Sequence, residues 1–328
     1  MKVLIVTNVY LRAALNQGQA SFVKDQIDAI HKYHPDVDFT TYTIHGLEHK
    51  SEYLKSLYEV PKLINSGEFD LVHIHYGISG LFRLFMGKPK IPIVVTLHGG
   101  DIQRGYGHPY QIALTKKIIK RCDYVFSLNE LMKSIVEKYN SNTEIVPISV
   151  DMKTFKPAEK VRPIGYKDVT IIFPASLNRE VKDHPLFLST IKTLHDKYGY
   201  NVNEVDFDNI SHEEVRQHYQ KCDLVLLSSK AEGSPGVIKE SMACNLPIVC
   251  TNVGDVAVLL KGVENCAVAK GRSPEELAEL CDKCLKHDIP GITGRERLNQ
   301  LGYDDKSISD KTYAIYTKLI KAKKGESK

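Results

Sequence analysis

The sequence lacks the features that mark several specialised classes of protein. It has no tryptophan, no tandem repeat and no low-complexity tract beyond the C-terminal stretch KAKKGESK. The apolar run in the opening stretch MKVLIVTNVY is only about five residues long, whereas a membrane-spanning helix needs about 20 and the core of a signal peptide at least about seven. We therefore expect a cytoplasmic protein whose first apolar run forms a buried strand.

An excess of one charge is also absent. The chain of 328 residues has 44 basic and 40 acidic side chains and a net charge of +4, which is too small to predict a nucleic-acid partner. Hydrophobic residues make up 42% and charged residues 26%, as in ordinary soluble globular proteins. At about 150 residues per domain, the length favours two domains.

Cysteines are few, and their number is odd. The seven cysteines lie mostly inside apolar strand or helix patterns, which predicts reduced thiols. Cys281 and Cys284 have the spacing of metal ligands, but no second pair and no suitably spaced histidines accompany them. We interpret this pair as helix packing and expect no metal site.

Short apolar runs alternate with amphipathic helical patterns along the whole chain. Several runs are continuous rather than alternating, as in parallel strands that are covered on both faces. Repeated β-α-β order predicts open, doubly wound parallel sheets, and therefore an α/β protein. The strand candidates are KVLIVT, DFTTYTI, FDLVHIHY, IPIVVTLH, CDYVFSL and TEIVPI in the first half, and DVTIIFPA, NVNEVDF, CDLVLLSS, LPIVCTN and ENCAVAK in the second half.

A polar segment with two prolines, residues 151–168, separates the two series and is typical of a linker. We predict a domain of residues 1–155 and a second of residues 156–304. The helical pattern at about 305–322 either ends the second domain or packs back on the first. Two Rossmann-like domains would place the carboxyl ends of both sheets at one cleft, where ligands bind in such folds.

The stretch EGSPGVIKE, residues 232–240, follows the apolar strand CDLVLLSS. A strand, a turn of small residues and then a helix offer free backbone amides to an anion. Pro235 suits the first helical position, and Ser234 suits a capping position. Glu240 would lie about 9 Å up the helix, a span that reaches from a diphosphate to ribose hydroxyls. A solvated helix start with two surface acids explains the spacing equally well.

Arg179 and Lys182 lie in the loop that follows the strand DVTIIFPA, on the same edge of the predicted sheet as the turn. Two cations three residues apart, next to an anion-binding turn, predict a diphosphate clamp. A solvated basic loop is the alternative interpretation.

Taken together, these motifs resemble family 4 retaining glycosyltransferases, which have the GT-B fold of two Rossmann-like domains. The stretch EGSPGVIKESMACNLPIVCTNVGDV resembles their two-glutamate signature, and the segments VHIHYGISG, VVTLHGGD, VPISVDMKTFKP and NREVKD follow the family's order. The likeness extends over nearly the whole chain and is greatest to transferases of bacterial exopolysaccharide, capsule and teichuronic-acid synthesis.

The resemblance implies roles for individual residues. Arg179 and Lys182 would bind the donor diphosphate, Glu240 the ribose, and Glu232 the transferred sugar. The resemblance places His98 beside the reacting sugar, although a histidine after a buried strand can also be a capped structural residue. His75 shares one sheet face with His73 on the strand FDLVHIHY, where both suit a structural role, but His75 at the strand end could touch the acceptor. The acceptor-side set is therefore His75, His98 and Asp101. The catalytic set is His98, Arg179, Lys182 and Glu232, and the donor set is Gly18, Arg179, Lys182, Glu232, Gly233, Ser234, Pro235, Gly236, Val237 and Glu240.

Two segments depart from the family pattern. Ala20 stands where the family often has the glycine of its first turn, so that Gly18 would have to replace it. The linker reads Pro-Ile-Ser-Val-Asp at residues 147–151 instead of the usual Pro-Asn-Gly-Val-Asp.

Residues 81–121 carry eight basic side chains and one acid, interleaved with apolar residues. A basic and apolar surface is typical of peripheral attachment to anionic lipid, although a solvated helix face explains the pattern equally well. The apolar residues concerned are Leu81, Phe82, Leu84, Phe85, Ile118 and Ile119.

We therefore expect a metal-independent transferase without a cofactor. It would move a hexose or N-acetylhexosamine from a UDP- or GDP-linked sugar to a glycan or a polyprenyl-diphosphate-linked acceptor. A nucleotide-sugar epimerase of the same fold and a non-catalytic nucleotide-sugar-binding partner are the alternatives. An oxidoreductase is disfavoured because no Gly-x-Gly-x-x-Gly motif follows the first strand.

Overall fold

The computed structural model describes residues 1–9, 21–46, 48–103, 108–158, 166–208 and 210–326. These residues form two compact units. Residues 1–9, 21–148 and 305–326 belong to unit 1, and the described residues between 149 and 304 belong to unit 2. Residues 149–155, which the sequence analysis assigned to the first domain, lie in unit 2.

Unit 1 contains a six-stranded sheet in which every pair of neighbouring strands is parallel, in the order β2-β1-β3-β4-β5-β6. Its elements are β1 (Lys2–Thr7), α1 (Ser21–Tyr33), β2 (Asp38–Thr43), α2 (Ser51–Asn65), β3 (Leu71–His75), the 3-10 segment Gly77–Leu84, β4 (Ile93–Thr96), α3 (Pro109–Ile119), β5 (Tyr124–Ser127), α4 (Glu130–Val136) and β6 (Thr143–Ile145).

Unit 2 contains a five-stranded parallel sheet in the order β11-β10-β9-β7-β8. Its elements are β7 (Asp168–Phe173), the 3-10 turn Glu180–Lys182, α5 (His184–Tyr198), β8 (Asn201–Asp206), α6 (His212–Lys221), β9 (Leu224–Leu227), α7 (Gly236–Ala243), β10 (Ile248–Cys250), α8 (Val256–Leu259), β11 (Cys266–Val268), α9 (Pro274–Leu285) and α10 (Gly294–Leu301).

The central strands are buried along nearly their whole length and are mostly apolar. All residues of β3, β4 and β9 are buried, as are the last five residues of β1. Burial on both faces removes the polar alternation of a half-exposed strand. The prediction of two parallel α/β units is confirmed.

The last helix, α11 (Asp305–Glu326), belongs to unit 1. His34, which directly follows α1, contacts Asp310 (Nε2 to Oδ1, 2.9 Å), and its ring stacks on that of Tyr313 at 4.0 Å between centroids. Further along the helix, the hydroxyl of Tyr316 lies 2.5 Å from His73 Nδ1 on β3. These contacts attach the last helix to the same unit as the first strand.

The guanidinium of Arg295 on α10 fixes residues 149–155 to unit 2. It donates to the carbonyls of Phe155 (2.8 Å), Ala243 (2.7 Å) and Met152 (2.9 Å). The segment around Met152 and Phe155 is therefore bonded to the end of α7 and to α10. This bonding explains why the boundary between the units lies earlier in the chain than the polar composition of the segment predicts.

Helix α10 packs closely on α7 at Gly294. A methyl group at this position would lie 2.4 Å from the carbonyl oxygen of Met242. We expect Gly294→Ala to destabilise unit 2 by about 1–3 kcal/mol, because the two helices would have to separate. Urea denaturation measures the change in the free energy of unfolding.

Gly325→Ala is the matched control, since Gly325 lies in α11 with open space around it. Alanine favours helix, so this variant should be unchanged or slightly more stable. Equal stability of Gly294→Ala and wild type would contradict this prediction, because it would show that α7 and α10 can separate without loss of stability.

Candidate functional site

Three loops lie side by side at the carboxyl edge of the sheet in unit 2. Strands β10, β9 and β7 are neighbours, and each is parallel to the next. The loops that follow them are residues 251–255, 228–235 and 174–183. The predicted donor-binding residues of unit 2 lie on the second and third of these loops and on α7.

The turn at residues 232–235 is folded inward. Glu232 and Ser234 are only 8% and 6% exposed. Helix α7 begins at Gly236 with Pro235 in the capping position, and no side chain caps it. Pro235 therefore lies directly before the first helical residue, near the predicted position, whereas Ser234 does not cap the helix. The first amides of α7 have no carbonyl partner four residues earlier and remain available to an anion.

Glu232 and Lys182 form a buried ion pair. Lys182 Nζ lies 2.6 Å from Glu232 Oε1, and the two side chains are 7% and 8% exposed. The hydroxyl of Ser229 donates to the same carboxylate oxygen at 2.7 Å. Burial makes each charge depend on the other, because neither has water to solvate it. The ion pair with Glu232 therefore places Lys182 beside the turn at residues 232–235.

Arg179, the second predicted cation, is exposed. It precedes the 3-10 turn Glu180–Lys182, and its carbonyl accepts a hydrogen bond from the amide of Lys182 at 2.8 Å. The two cations therefore share a turn but differ in environment. The sequence analysis treated them as equivalent because spacing carries no information on burial.

Arg272 ties two of the loops together, and the sequence analysis missed it. Its guanidinium donates to the carbonyls of Ser228 (2.9 Å) and Ser229 (2.5 Å) and to Asp183 Oδ2 (2.6 Å). Asp183 has a left-handed backbone (φ 52°) and joins the 3-10 turn to α5. Arg272 follows β11 in the stretch KGR, which gives no motif by which it could be found.

The loop after β10 supports the turn from its other side. The hydroxyl of Thr251 donates to the carbonyl of Ser229 at 2.6 Å, and Ser234 Oγ lies 2.7 Å from Asp255 Oδ2. Gly254 has φ 58°, and a methyl group there would lie 2.5 Å from the carbonyl oxygen of Gly233. Only glycine therefore allows the two loops to approach this closely.

Glu240 lies four residues along α7 from Gly236 and therefore on the same face of the helix. Its Oε2 accepts a hydrogen bond from the hydroxyl of Tyr219 on α6 at 2.9 Å. Burial, together with the nearby Glu240 carboxylate, raises the pKa of Tyr219 well above its ordinary value, so the phenol stays protonated and donates. Tyr219 thus orients Glu240, and the sequence analysis missed this residue as well.

The predicted acceptor-side histidines of unit 1 lie together. His75, the last residue of β3, has its Nδ1 3.3 Å from Nε2 of His98, which lies two residues beyond β4. The ring of His73 lies 4.3 Å from that of His75 between centroids, and its Nε2 bonds Thr96 Oγ1 at 2.7 Å. Burial lowers the pKa of His75 to about 3 and lowers that of His98 well below its ordinary value. Both imidazoles are therefore neutral at pH 7.

Asp101 orders the loop that carries His98. Its Oδ1 accepts from the amides of His98 and Gly99, and its Oδ2 accepts from the amide of Gly77, each at 3.0 Å. Burial raises the pKa of Asp101 to about 6, while these backbone hydrogen bonds act in the opposite direction. Because both oxygens are engaged, the structure gives Asp101 a positioning role at the predicted acceptor side.

Tyr76 is a further residue that the sequence analysis missed. It follows β3 with φ 66°, a conformation that a bulky residue rarely adopts, and its ring stacks on His98 at 4.4 Å between centroids. Phe22 on α1 contacts the His98 ring at 4.8 Å. Two aromatic rings thus hold His98 in place. Strained residues of this kind cluster at functional sites.

The predicted basic, apolar surface at residues 81–121 is partly wrong. Phe82, Ile118 and Ile119 are fully buried core residues, and Arg83 is only 5% exposed because its guanidinium donates to three backbone carbonyls. Phe85 is 72% exposed. Arg104 lies outside the described residues, and among the described cations of this segment Lys88, Lys90, Lys117, Lys120 and Arg121 are exposed.

Three further expectations concern the first glycine turn, a membrane span and a metal site. Gly18 and Ala20 lie outside those ranges. Within the described residues, no helix combines the length and the apolar character needed to cross a membrane. The same ranges contain no group of three or more histidine, cysteine, aspartate or glutamate side chains able to hold a metal ion.

Two family models match the chain. The one described as Glycosyltransferase Family 4 matches residues 21–154, and the one described as Glycosyl transferases group 1 matches residues 192–287. Together these ranges make up more than half of the chain.

Two relatives illustrate the similarity at the level of sequence. A Bacillus subtilis protein named as a teichuronic acid biosynthesis glycosyltransferase, TuaC, is 24% identical over 238 residues, 64% of this chain and 60% of the relative. An uncharacterised glycosyltransferase of Methanocaldococcus jannaschii is 28% identical over 303 residues, 84% of this chain and 82% of the relative.

Solved structures of low sequence identity share the fold. Sucrose-phosphate synthase from Thermosynechococcus elongatus has a TM-score of 0.76 at 15% identity, over 98% of this chain and 99% of its own. HepE of Anabaena, solved with UDP and glucose, has a TM-score of 0.72 at 14% identity, over 97% of this chain and 100% of its own.

Two parallel α/β units, with a small-residue turn between a central strand and a helix, define the class of GT-B glycosyltransferases. The matched models and relatives agree with that class in both units. The chain belongs to the family 4 type of these glycosyltransferases.

The buried histidines of unit 1 predict an acid-sensitive stability. His75 takes up a proton near its ordinary pKa of about 6.5 in the unfolded chain, but only near pH 3 in the folded chain. Its contribution to stability is therefore lost as the pH falls from 6.5 towards 3, by at most about 1.4 kcal/mol per pH unit. Wild type should lose about 1–2 kcal/mol more than His75→Gln between pH 6.5 and pH 5.

Chemical denaturation at the two pH values measures this difference. Asp101 acts in the opposite direction, since its raised pKa contributes stability below about pH 4 that is lost by about pH 6, but it is present in both proteins. His45→Gln is the control because His45 is exposed. Parallel pH profiles of wild type and His75→Gln would contradict a neutral, buried His75.

The ion pair in unit 2 predicts that a single variant loses much more stability than a double variant that replaces both charges. Glu232→Ala should destabilise by about 3 kcal/mol, because Lys182 would remain buried without a counter-charge. Lys182→Met combined with Glu232→Leu should recover most of this loss. The free energy of unfolding in urea measures both effects.

The exposed pair of Lys192 and Asp196 provides the matched control, with side chains 76% and 54% exposed. Asp196→Ala should cost less than about 1 kcal/mol. A Glu232→Ala variant as stable as this control would show that water reaches the Lys182 ammonium.

Proposed function

We propose that the protein transfers a hexose or N-acetylhexosamine from a nucleotide-diphosphate sugar to a glycan or a polyprenyl-diphosphate-linked acceptor, with retention and without a metal. The observation that carries this proposal is the turn at residues 232–235, where a buried glutamate, a buried lysine and the start of α7 meet. Membership of the family 4 glycosyltransferases supports it.

The residues of unit 2 suit the parts of such a donor. The first amides of α7 and the exposed Arg179 would hold the diphosphate, the amides through the positive end of the helix and the arginine through its charge. Glu240, oriented by Tyr219, would accept hydrogen bonds from the ribose hydroxyls. Glu232, fixed by Lys182 and Ser229, would face the transferred sugar.

In this reaction the bond between the anomeric carbon and the diphosphate oxygen breaks as the acceptor oxygen bonds to the same face of that carbon. The proton of the acceptor hydroxyl passes to the leaving diphosphate. Negative charge grows on the diphosphate oxygens, so the main contribution to catalysis would be electrostatic and would come from groups fixed before the reaction. We assign no side-chain nucleophile.

Unit 1 would bind the acceptor near His98 and His75. Neutral imidazoles donate and accept hydrogen bonds without adding a positive charge, which suits contact with sugar hydroxyls. The exposed Lys88, Lys90, Lys117 and Lys120, with Phe85, would hold the protein on the anionic inner face of the cell membrane.

The named relatives support a donor linked to a nucleotide. HepE was solved with UDP-glucose, and TuaC is named for teichuronic acid biosynthesis. These statements concern those proteins, and we extend them here to UDP or GDP as the nucleotide and to cell-surface polysaccharide synthesis as the role.

A thermal-shift panel of UDP-, GDP- and ADP-linked sugars tests the donor. A true donor at 100 times its Kd should stabilise the folded protein by about 2.7 kcal/mol. Glu240→Gln should reduce the shift, since an amide keeps the hydrogen bond from Tyr219 but accepts less strongly from ribose. Glu279→Gln, at an exposed position on α9, should leave it unchanged.

Product analysis then tests the reaction. Incubation of the stabilising donor with a polyprenyl-diphosphate-linked sugar in EDTA should give a product with the donor's anomeric configuration. Conversion of the donor without acceptor would indicate an epimerase instead. The absence of any shift with all of the nucleotide sugars would contradict the proposal.

A further inference from the structure

The hydroxyl of Ser234 has one proton, and the structure shows which group receives it. Ser234 Oγ lies 2.7 Å from Asp255 Oδ2, and Ser234 and Asp255 are 6% and 7% exposed. An ionised carboxylate accepts hydrogen bonds and donates none. With Asp255 ionised, the serine hydroxyl must donate to it.

A buried lysine supports the ionised form of Asp255. Lys239 on α7 is fully buried, and burial lowers its pKa to about 8, while the negative charges of Asp255 and Glu240 act in the opposite direction. A buried ammonium requires a buried counter-charge. Burial, together with the nearby Glu232, raises the pKa of Asp255 above its ordinary value, whereas Lys239 and Ser234 act in the opposite direction.

Ser234 Oγ is consequently left with lone pairs only and can accept but not donate. A phosphate oxygen also only accepts, so the side chain of Ser234 cannot contribute a hydrogen bond to a diphosphate. A sugar hydroxyl can donate, and it therefore matches this atom. Asp255 Oδ1 is a second buried acceptor, and it has no hydrogen-bond partner among the described residues.

We propose that Ser234, held as an acceptor by Asp255, contacts a hydroxyl of the transferred sugar and so selects a sugar-bearing donor over the free nucleoside diphosphate. This inference rests on the proposed function. Ser234 is the specificity-determining residue, and Asp255 is a positioning residue that acts through it. The close approach of Gly254 to Gly233 holds the loops after β10 and β9 together.

The affinities for UDP and UDP-glucose, and for GDP and GDP-mannose as a second pair, test the proposal by calorimetry. Ser234→Ala should weaken binding of the nucleotide sugar about tenfold, the loss of about 1.4 kcal/mol expected for one hydrogen bond, and leave the nucleoside diphosphate within twofold. Ser189→Ala is the control, because Ser189 is exposed on α5 and its hydroxyl bonds Pro185 O.

Variants of Asp255 separate a positioning role from a general structural one. Asp255→Asn keeps an oxygen that accepts from Ser234, so it should retain most of the preference for the nucleotide sugar. Asp255→Ala frees the hydroxyl to donate to a phosphate as well as to accept from a sugar, so it should reduce that preference while still binding the nucleoside diphosphate. If Asp255→Ala does not fold, the affinities of Ser234→Ala and Ser189→Ala are sufficient to test the proposed role of Ser234.

Three outcomes overturn the inference. Equal weakening of the binding of nucleotide sugar and nucleoside diphosphate by Ser234→Ala would assign Ser234 to the phosphates or to the fold. No change in either affinity would remove Ser234 from the site. Failure of wild type to bind either pair would overturn the proposed donor site itself, together with this inference.

Discussion

The buried ion pair of Lys182 and Glu232 joins the loops that follow two neighbouring parallel strands, β7 and β9. Each charge lies out of water and is stabilised by the other, so neither loop can move far without exposing or isolating a charge. Ser229 adds a hydrogen bond to the same carboxylate oxygen. The position of the 232–235 turn, and with it the direction in which α7 presents its first amides, depends on this pair.

The surrounding contacts reinforce that geometry from both sides. Arg272 bonds the carbonyls of Ser228 and Ser229, while Thr251 and Asp255 approach from the loop after β10. The backbone carbonyls of Ser228 and Ser229 are thus used within the protein. The first amides of α7 have no carbonyl four residues earlier in the helix, which is the arrangement that an anion-binding helix start requires.

The strands were the most predictable part of the fold. Each of the eleven predicted runs contains a strand. For the central strands, burial on both faces of a parallel sheet leaves a continuous apolar pattern, whereas the edge strands β2 and β8 are more polar and partly exposed. In the candidate site, residue spacing placed Glu232, Glu240 and Lys182 on the correct elements. It could not predict that Lys182 is buried against Glu232, or that Asp255, Arg272 and Tyr219 orient the turn, because those contacts join distant parts of the chain.

The account's central claim is that the ion pair fixes a turn built to hold a sugar diphosphate. A crystal structure of the protein with a non-transferable nucleotide-diphosphate sugar tests it most directly. The account predicts diphosphate oxygens within about 3 Å of the amides of Gly236 and Val237, with the sugar beside an unbroken pair of Lys182 and Glu232. A diphosphate bound away from the start of α7, or a pair broken apart by the ligand, would contradict it.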